Sequence, residues 1–163
     1  MPDNFIIREL SGKEDPAIIQ IEDLFLEMYE YMHQHGLMIS LVEGGHKKWL
    51  DSALKGLGRF GVLYVFETDN EVKGFAHGSI RLSPDYLGNK KLGVITHIHL
   101  NEKYRLLGAG KAMVKRLEKW FSEQDVHSIE LQVLSKNIPA TGFWQKLGYT
   151  NELIQCRKMK ADL

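Results

Sequence analysis

A glycine-rich turn, KYRLLGAGKAM at residues 103–113, has the residue types and spacing that bind phosphate. It lies between an apolar run that is predicted to be a strand and the start of a predicted helix. At such a junction, unpaired backbone amides and the positive end of the helix dipole face outward together. Gly108 and Gly110 lack the β-carbons that would separate ligand oxygens from the amides of Leu106 to Lys111. The turn is therefore a candidate site for a pyrophosphate.

Two familiar phosphate motifs do not match this turn. A P-loop needs serine or threonine after its Gly-Lys pair, and Ala112 follows Lys111 here. The dinucleotide-binding fingerprint needs a third glycine, and Met113 occupies that position. Without further evidence, a plain surface turn capped by glycines is an equally good interpretation.

The composition limits the size of the protein and its partners. The 163 residues are 44% hydrophobic, which is enough for one compact domain spanning residues 1–163. The 21 basic and 21 acidic residues balance, so the chain lacks the broad field expected for binding to nucleic acid or an anionic membrane. No apolar run approaches the roughly 20 residues that span a bilayer, and no cationic leader precedes one. We expect a cytoplasmic protein with neither kind of partner.

The cysteine content makes disulfides and structural zinc poor explanations of the fold. Cys156 is the only cysteine, so it cannot form an internal disulfide, and no second cysteine is available to bind zinc with it. We expect no metal site, and we expect Cys156 to be an ordinary strand residue.

Hydrophobic periodicity predicts an α/β fold. Spacings of three and four predict helices over residues 16–33, 43–57, 108–124 and 137–148. β-rich runs predict strands over residues 4–10, 62–68, 72–82, 92–100 and 127–134. Residues 149–161 have the composition of one or two closing strands. The order βααβββαβαβ, possibly with one more strand, predicts a mixed, mostly antiparallel sheet of six to seven strands with helices on both faces.

Two separate signatures resemble those of the GNAT superfamily of acyl-CoA-dependent N-acyltransferases. The first, Arg105-Leu106-Leu107-Gly108-Ala109-Gly110, matches that family's R/Q-x-x-G-x-G/A loop. The second consists of an asparagine, an alanine, an aromatic pair and a Gly-Tyr pair, at Asn137, Ala140, Phe143-Trp144 and Gly148-Tyr149. The predicted element order also resembles the GNAT fold over nearly the whole chain.

The resemblance implies that acetyl-CoA is the cosubstrate. In such proteins the strand before the loop carries a bulge and splays from the next strand, and pantetheine lies in the gap like an added strand. The loop amides would hold the pyrophosphate. The coenzyme-binding residues implied in this way are Ile98, His99, Leu100, Arg105, Leu106, Leu107, Gly108, Ala109, Gly110, Lys111, Asn137 and Phe143.

The implied reaction needs a neutral amine that attacks the thioester directly. An acceptor with a lysine-like pKa of about 10.4 is neutral in only about one molecule in 2,500 at pH 7, so a base can assist. The attack forms a tetrahedral oxyanion, which the backbone amide near Leu100 is expected to stabilise. No covalent enzyme intermediate is required.

The sequence departs from the usual GNAT pattern at two positions. The common catalytic glutamate falls on Thr96, which is no base, but the neighbouring His97 and His99 have suitable imidazoles. Both histidines are candidate bases, although they could also be strand residues without a role. The common tyrosine acid falls on Trp144, so water, Tyr149, Tyr104 or direct departure of the thiolate must serve.

The acceptor is expected to contact the segment after the first helix. Tyr29, His33 and Thr96 are the candidate acceptor-binding residues. The resulting hypothesis is an N-acetyltransferase for a primary amine of a small molecule or peptide, acting as a monomer or homodimer. The alternatives are a catalytically silent acyl-CoA-binding module and an interaction domain without a ligand.

Overall fold

The computed structural model describes residues 5–162, which form four helices and five strands. The strands are β1 (Phe5–Glu9), β2 (Gly61–Thr68), β3 (Glu71–Leu82), β4 (Lys91–Leu100) and β5 (Ser128–Leu131). The helices are α1 (Ile18–Gln34), α2 (Gly45–Gly56), α3 (Ala109–Glu123) and α4 (Ile138–Lys146). The predicted α/β order is therefore confirmed as far as α4.

The five strands form one mixed sheet in the order β1-β2-β3-β4-β5. The first three pairs of neighbours are antiparallel, and β4 and β5 are parallel. One face of the sheet packs against α1 and α2 in a core that includes Phe25, Leu63 and Phe75. The other face packs against α3 and α4 in a core that includes Phe66 and Phe121. The predicted arrangement of helices on both faces is confirmed.

Helix α3 lies unusually close to the sheet, and this fixes the position of the turn that precedes it. Its apolar side chains recur at spacings of three and four, and Met113, Leu117 and Phe121 are fully buried. A β-carbon on Gly78 or Gly93 would lie 2.8 or 2.7 Å from the Phe121 ring. The two glycines therefore let the ring contact the backbone of β3 and β4. Each buried side chain of this size contributes about 1.5–3 kcal/mol.

Strand β4 carries a bulge and extends past β5. Opposite β3, His77 pairs with His97 and Gly78 with Ile95, so Thr96 is the extra residue of the bulge. Opposite β5, the last pair is Ile95 with Leu131. Within residues 5–162, the five residues Thr96–Leu100 of β4 consequently have no strand beside them on the β5 side. Both the bulge and the opening between strands that the resemblance implied are present.

The prediction of one or two closing strands was wrong. Among the described residues, the sheet has five strands and not six or seven, because residues 149–159 form neither helix nor strand. Cys156 is correspondingly exposed and lies outside any strand. The strand-like composition of this segment expresses only a propensity, and a strand also needs a partner edge. The predicted strand 127–134 is likewise shorter, since β5 ends at Leu131.

Residues 5–162 contain neither a membrane-spanning helix nor a metal-binding cluster of side chains. None of the helices between residues 5 and 162 is both long and apolar enough to cross a membrane. Within the same residues, no three His, Cys, Asp or Glu side chains are grouped so that they could hold a metal ion.

Candidate active site

The turn before α3 has a backbone conformation that opens its amides to solvent. Leu106 is in the left-handed region with φ of +63° and its side chain is fully exposed. For a residue with a β-carbon this conformation costs roughly 1–2 kcal/mol. Gly108, which directly precedes α3, has φ of +87°. The strain at Leu106 marks this turn as a shape that the surrounding structure imposes.

The backbone amides of Leu106–Lys111 have no hydrogen-bond acceptor among residues 5–162. The amides on either side are used, since Arg105 N donates to Glu102 O and Ala112 N donates to Gly108 O. Because the unpaired donors lie at the start of the 15-residue helix α3, the helix dipole adds to their attraction for an anion. The residues present therefore fit a pyrophosphate, as the sequence predicted.

The two glycines of the turn have different roles. Gly108 has the positive φ that a residue with a β-carbon rarely adopts. Gly110 lies within α3, where an added β-carbon would lie 3.5 Å from the Phe143 ring, in ordinary van der Waals contact. The bare side of Gly110 faces the Phe143 ring of α4 in this structure, so the expectation that Gly110 clears space for ligand oxygens stays a prediction.

Arg105 connects the turn to two other elements. Its Nε donates to Leu100 O at 2.9 Å, which joins the turn to the end of β4. Its guanidinium lies 4.5 Å from the centroid of the Tyr31 ring on α1. The arginine of the loop signature thus positions the turn against β4 and α1.

Asn137 is the N-cap residue that directly precedes α4. Its Oδ1 accepts a hydrogen bond from Ala140 N at 3.2 Å, which is a standard helix cap. Among the described residues, no acceptor contacts its Nδ2, so that group is free to donate to a ligand. Phe143, on the same helix, is half-buried and packs edge-on against Trp144 with ring centroids 5.0 Å apart.

A polar cluster surrounds the bulge. The Oγ1 of Thr96 lies 2.6 Å from His77 Nδ1 and 3.0 Å from His97 Nδ1. A hydroxyl has one proton, so Thr96 can donate to at most one of these rings, and the other ring must donate its Nδ1–H to the hydroxyl. At least one of the two imidazoles therefore has an unprotonated Nε2. Thr96 cannot act as a base itself, but it sets the tautomers of its neighbours.

The two histidines of this cluster are weak bases. Burial lowers the pKa of His77 to about 4, and burial together with the neighbouring His77 lowers the pKa of His97 to about 4. The ring of His97 packs edge-on against Trp49, with centroids 5.0 Å apart, and lies 5.3 Å from the Phe25 ring. Both imidazoles are therefore neutral at pH 7.

His99 has a different partner, the carboxylate of Glu27 on α1. Its Nε2 lies 3.1 Å from Glu27 Oε1, and the imidazole is almost fully buried while Glu27 is partly exposed. Burial lowers the pKa of His99, and the hydrogen bond and negative charge of Glu27 oppose that effect. Glu27 also lines an open cavity of about 290 Å³, together with Asp23, Glu71 and Lys73. A proton on His99 can therefore reach solvent through a carboxylate.

Comparison with known proteins identifies the family. The acetyltransferase (GNAT) family profile matches residues 18–149, which is most of the chain. The chain belongs to this family. The resemblance seen in the two signatures is thereby confirmed, and with it the enzyme class, acyl-CoA-dependent N-acyltransferase. No curated protein sequence matches the chain.

Solved structures of other GNAT proteins share the fold. The aminoglycoside N-acetyltransferase AAC(6')-Iy in complex with CoA has a TM-score of 0.74 and 16% identity over 95% of each chain. BH1408 from Bacillus halodurans, in a tetramutant form, has a TM-score of 0.76 and 18% identity over 94% of this chain and 99% of its own. A putative acetyl transferase from Pyrococcus furiosus has a TM-score of 0.75 and 21% identity over 96% and 99%.

All three residues predicted to contact the acceptor have partners within this GNAT chain. Tyr29 is half-buried, its ring centroid lies 4.9 Å from that of Phe25, and burial raises the pKa of its hydroxyl. The Nδ1 of His33 lies 3.0 Å from Leu37 O, which helps to close the end of α1. Thr96 precedes His99 by three residues on β4, and its hydroxyl contacts His77 and His97 in the bulge cluster. Of the three, Thr96 alone lies on the strand that borders the opening.

The two tyrosines considered as replacements for the usual GNAT acid, Tyr104 and Tyr149, both have contacts among the described residues. Trp144 is buried in the core, with its ring 5.2 Å from that of Tyr149. The Tyr149 hydroxyl donates to Glu118 Oε1 at 3.1 Å, and burial together with this carboxylate raises its pKa strongly. Tyr104 packs with Phe66 at 5.8 Å between ring centroids. Direct departure of the thiolate, or protonation by water, fits this arrangement better than tyrosine chemistry.

Sequence reasoning missed His77 and the pairing of His99 with Glu27. His77 lies two residues after Phe75 on β3, so alternation along that strand places both side chains on the α1 face. That alternation could have revealed His77 as a neighbour of His97. The Glu27 contact joins residues 72 positions apart, and no local pattern predicts it.

Proposed function

We propose that this GNAT protein transfers an acetyl group from acetyl-CoA to a primary amine of a small molecule or peptide, within one domain over residues 1–163. The observation that carries the proposal is the set of unpaired amides at Leu106–Lys111, next to the opening beyond Ile95 and Leu131. The amides are suited to bind the pyrophosphate of acetyl-CoA, and the opening is suited to bind its extended pantetheine arm.

The coenzyme would bind in an extended form from the turn to the bulge. The pyrophosphate receives hydrogen bonds from the amides of the turn, and the pantetheine arm lies against Ile98 and Leu100 like an added strand. Asn137 Nδ2 donates to the arm from the opposite side. The thioester then lies beside the bulge, since the arm runs from the end of β4 back toward Thr96.

His99 is the better candidate for the base. A base with a pKa near the operating pH is the most effective, and the pKa of His97 is lowered to about 4. Glu27 favours the protonated form of His99, and no carboxylate contacts His97 among the described residues. His99 accordingly takes the proton from the attacking amine, directly or through one water molecule, and Glu27 stabilises the imidazolium.

The reaction proceeds by direct attack. The amine nitrogen bonds to the thioester carbon, the carbonyl oxygen becomes an oxyanion, and the backbone amide near Leu100 donates to it. Collapse restores the carbonyl and breaks the carbon–sulfur bond. A thiol has a pKa near 8.5, so the sulfur can leave as a thiolate without a protein acid.

The comparisons support an amine acceptor but do not specify which amine. The similar structures include aminoglycoside acetyltransferases and a glucosamine-6-phosphate N-acetyltransferase from Arabidopsis thaliana, so related folds act on amino sugars. The carboxylates of Asp23 and Glu27 at the open cavity favour a cationic molecule near α1, whereas Glu71 beside them is already paired with Lys73. A cationic amine is therefore the preferred acceptor.

Release of free CoA thiol across a panel of amines tests this function, with calorimetry of acetyl-CoA as the companion measurement. We expect coenzyme binding and amine-dependent thiol release that exceeds hydrolysis. Binding without release for every amine would instead support a silent acyl-CoA-binding module. Absence of binding would contradict both functions.

A further inference from the structure

Tyr31 of α1 contacts the arginine of the first GNAT signature, although it lies far from that signature in the sequence. The Arg105 guanidinium carbon lies 4.5 Å from the centroid of the partly buried Tyr31 ring, within the range of a cation–π interaction. Neither the loop signature nor the periodicity of α1 predicts this contact, because it depends on how α1 packs on the sheet. It gives a residue of α1 a direct connection to the turn that is suited to bind pyrophosphate.

Arg105 is held at three points. Its backbone N donates to Glu102 O at 3.1 Å, its Nε donates to Leu100 O at 2.9 Å, and its guanidinium lies against Tyr31. A guanidinium has five N–H donors and keeps its charge at every ordinary pH. Among residues 5–162, no carboxylate forms an ion pair with Arg105, and its two terminal nitrogens have no acceptor. The Tyr31 ring is therefore the main group that holds this charged end in place.

The restraints on Arg105 act directly on the strained turn. Leu106 follows Arg105 and has φ of +63°, a conformation that a residue with a β-carbon keeps only when its surroundings enforce it. Without the Tyr31 ring, one of the three restraints is lost and the turn can relax toward ordinary backbone angles. Donors that are already ordered bind a ligand more tightly than donors that must first be ordered. The Tyr31 contact should therefore favour binding to the amides of Leu106–Lys111.

The Tyr31 ring is itself held in place by contacts at the end of α1. Its centroid lies 4.2 Å from that of the His35 ring, and the Nδ1 of His35 donates to Tyr31 O at 2.8 Å. The next residue, Gly36, lies against the aliphatic part of Lys136, since a β-carbon on Gly36 would be 3.1 Å from Lys136 Cδ. Lys136 directly precedes the asparagine of the second signature. The end of α1 thus contacts the segments that carry both signatures, and Tyr31 is a fixed surface within it.

We propose that Tyr31 is a positioning residue for the coenzyme, because its ring holds the Arg105 guanidinium and thereby keeps the amides of Leu106–Lys111 oriented for a pyrophosphate. This role rests on the proposed acetyl-CoA-dependent function. Tyr31 acts through Arg105 and not on the thioester, so its influence is limited to the pyrophosphate half of acetyl-CoA. Helix α1 then serves both substrates, since it also carries Tyr29 and His33, which are expected to contact the acceptor.

Calorimetry with acetyl-CoA and with acetyl-pantetheine, which lacks the pyrophosphate, tests this role. Tyr31→Leu should raise the Kd of acetyl-CoA about tenfold but that of acetyl-pantetheine less than about twofold. Tyr31→Phe retains the ring and should bind acetyl-CoA within about twofold of the native protein. Tyr86→Leu is the matched control and should change neither Kd, because Tyr86 is 82% exposed on the connection between β3 and β4. No weakening of acetyl-CoA by Tyr31→Leu, equal weakening of both ligands, or a Tyr31→Phe variant as weak as Tyr31→Leu would overturn the proposal.

Steady-state thiol release separates positioning from damage to the fold. Tyr31→Leu should raise the KM of acetyl-CoA about tenfold and leave kcat within about twofold of the native value, because saturating coenzyme fills the turn in both proteins. A general loss of folded protein would instead lower kcat and leave KM unchanged. That second pattern would overturn the proposal.

A double-mutant cycle shows whether Tyr31 acts through Arg105, and it needs no coenzyme. Arg105→Gln removes the charge, so Tyr31→Leu should lower the urea midpoint less in the Arg105→Gln protein than in the native protein. Equal lowering in both proteins would overturn the inference even if the native protein binds acetyl-CoA. If the cycle shows coupling but the native protein binds no acetyl-CoA, the coenzyme role of Tyr31 fails together with the proposed function, although the contact remains.

Discussion

The Nε2 of His99 lies 3.1 Å from Oε1 of Glu27, which joins strand β4 beside the opening to helix α1. The contact with Glu27 distinguishes His99 from the neighbouring His97, although both side chains lie on the same face of β4. Burial lowers the pKa of both imidazoles, but only His99 has a carboxylate that opposes the effect. The environment, and not the residue type, decides which histidine is suited to accept a proton.

Replacing the carboxylate of Glu27 should make His99 a weaker base while leaving its imidazole in place. Without the charge of Glu27, the pKa of His99 falls further, so Glu27→Gln should shift the acid limb of the pH profile of kcat/KM to lower pH. A weaker base also transfers the proton less well, so the plateau should fall by about tenfold. Steady-state thiol release between pH 5 and 9 measures both effects.

Separate alanine substitutions of His99 and His97 should show which of the two histidines is the base. His99→Ala should reduce kcat by about 100-fold, whereas His97→Ala should reduce it by less than about fivefold. If His97→Ala abolished the acid limb and His99→Ala left it in place, the base would be His97. The coenzyme Kd, from calorimetry, should remain within about threefold of the native value in both variants.

Alanine substitutions at the two glycines of the turn should have opposite effects on the stability of the protein. Gly108→Ala places a β-carbon on a residue with φ of +87°, so it should destabilise the protein by about 1 kcal/mol and weaken acetyl-CoA binding. Gly110→Ala adds a methyl at ordinary contact distance from Phe143 in a helix, so it should stabilise the protein by up to about 1 kcal/mol. Urea unfolding and coenzyme titration measure the two effects.

Equal loss of coenzyme binding in both variants would show that Gly110 also clears space for the ligand. The expected difference follows from where each α-carbon faces, which the loop signature alone does not reveal. Both glycines are part of the signature, but only Gly108 has the left-handed conformation.

The hydroxyl of Thr96 should contribute to the stability of the folded protein. Thr96→Val removes the group that contacts both His77 and His97, so it should cost about 1–3 kcal/mol of stability by leaving the buried His77 Nδ1 without its partner. Thr96→Ser retains the hydroxyl and should cost less than about 1 kcal/mol. Thermal unfolding of the two variants checks this difference, and equal destabilisation would show that the methyl group, not the hydroxyl, is responsible.

His77 should make stability depend on pH in mild acid. Its pKa is lowered from 6.5 to about 4 in the folded protein, so the unfolded state binds a proton first as the pH falls. The corresponding stability is fully present above about pH 6.5 and is lost between about pH 6.5 and 4. The loss amounts to about 3 kcal/mol, from 1.36 kcal/mol per pKa unit.

Urea unfolding at pH 7.5 and pH 4.5 measures this linkage. His77→Gln removes the titrating group, so the stability of that variant should fall by about 3 kcal/mol less than that of the native protein between the two values. Parallel pH dependence of the variant and the native protein would show that His77 is not protonated on unfolding in this range.

Local pattern predicted much of the fold. The stripe containing Ile21, Leu24 and Met28 identified α1, and the junction of an apolar run with a glycine turn identified the start of α3. The helix stripe and the glycine turn are encoded in contiguous residues, so the sequence suffices to predict them. The resemblance to the family implied a bulge and an opening along β4, and the structure locates them at Thr96 and beyond Ile95.

The predictions from sequence fail where contacts between residues far apart in the chain determine the structure. Residues 149–161 have strand composition, yet the described part of this segment pairs with no strand of the sheet. The contacts of His99 with Glu27 and of His77 with Thr96 join residues far apart in the chain. Side-chain chemistry predicted which residues could take part, and tertiary packing decided which of them meet.

Isothermal titration of the native protein with acetyl-CoA, compared with acetyl-pantetheine, tests most directly whether the amides of Leu106–Lys111 hold a coenzyme. We predict one binding site for acetyl-CoA and at least about tenfold weaker binding of the ligand without a pyrophosphate. Equal affinities for the two ligands, or no heat of binding with either, would contradict the account.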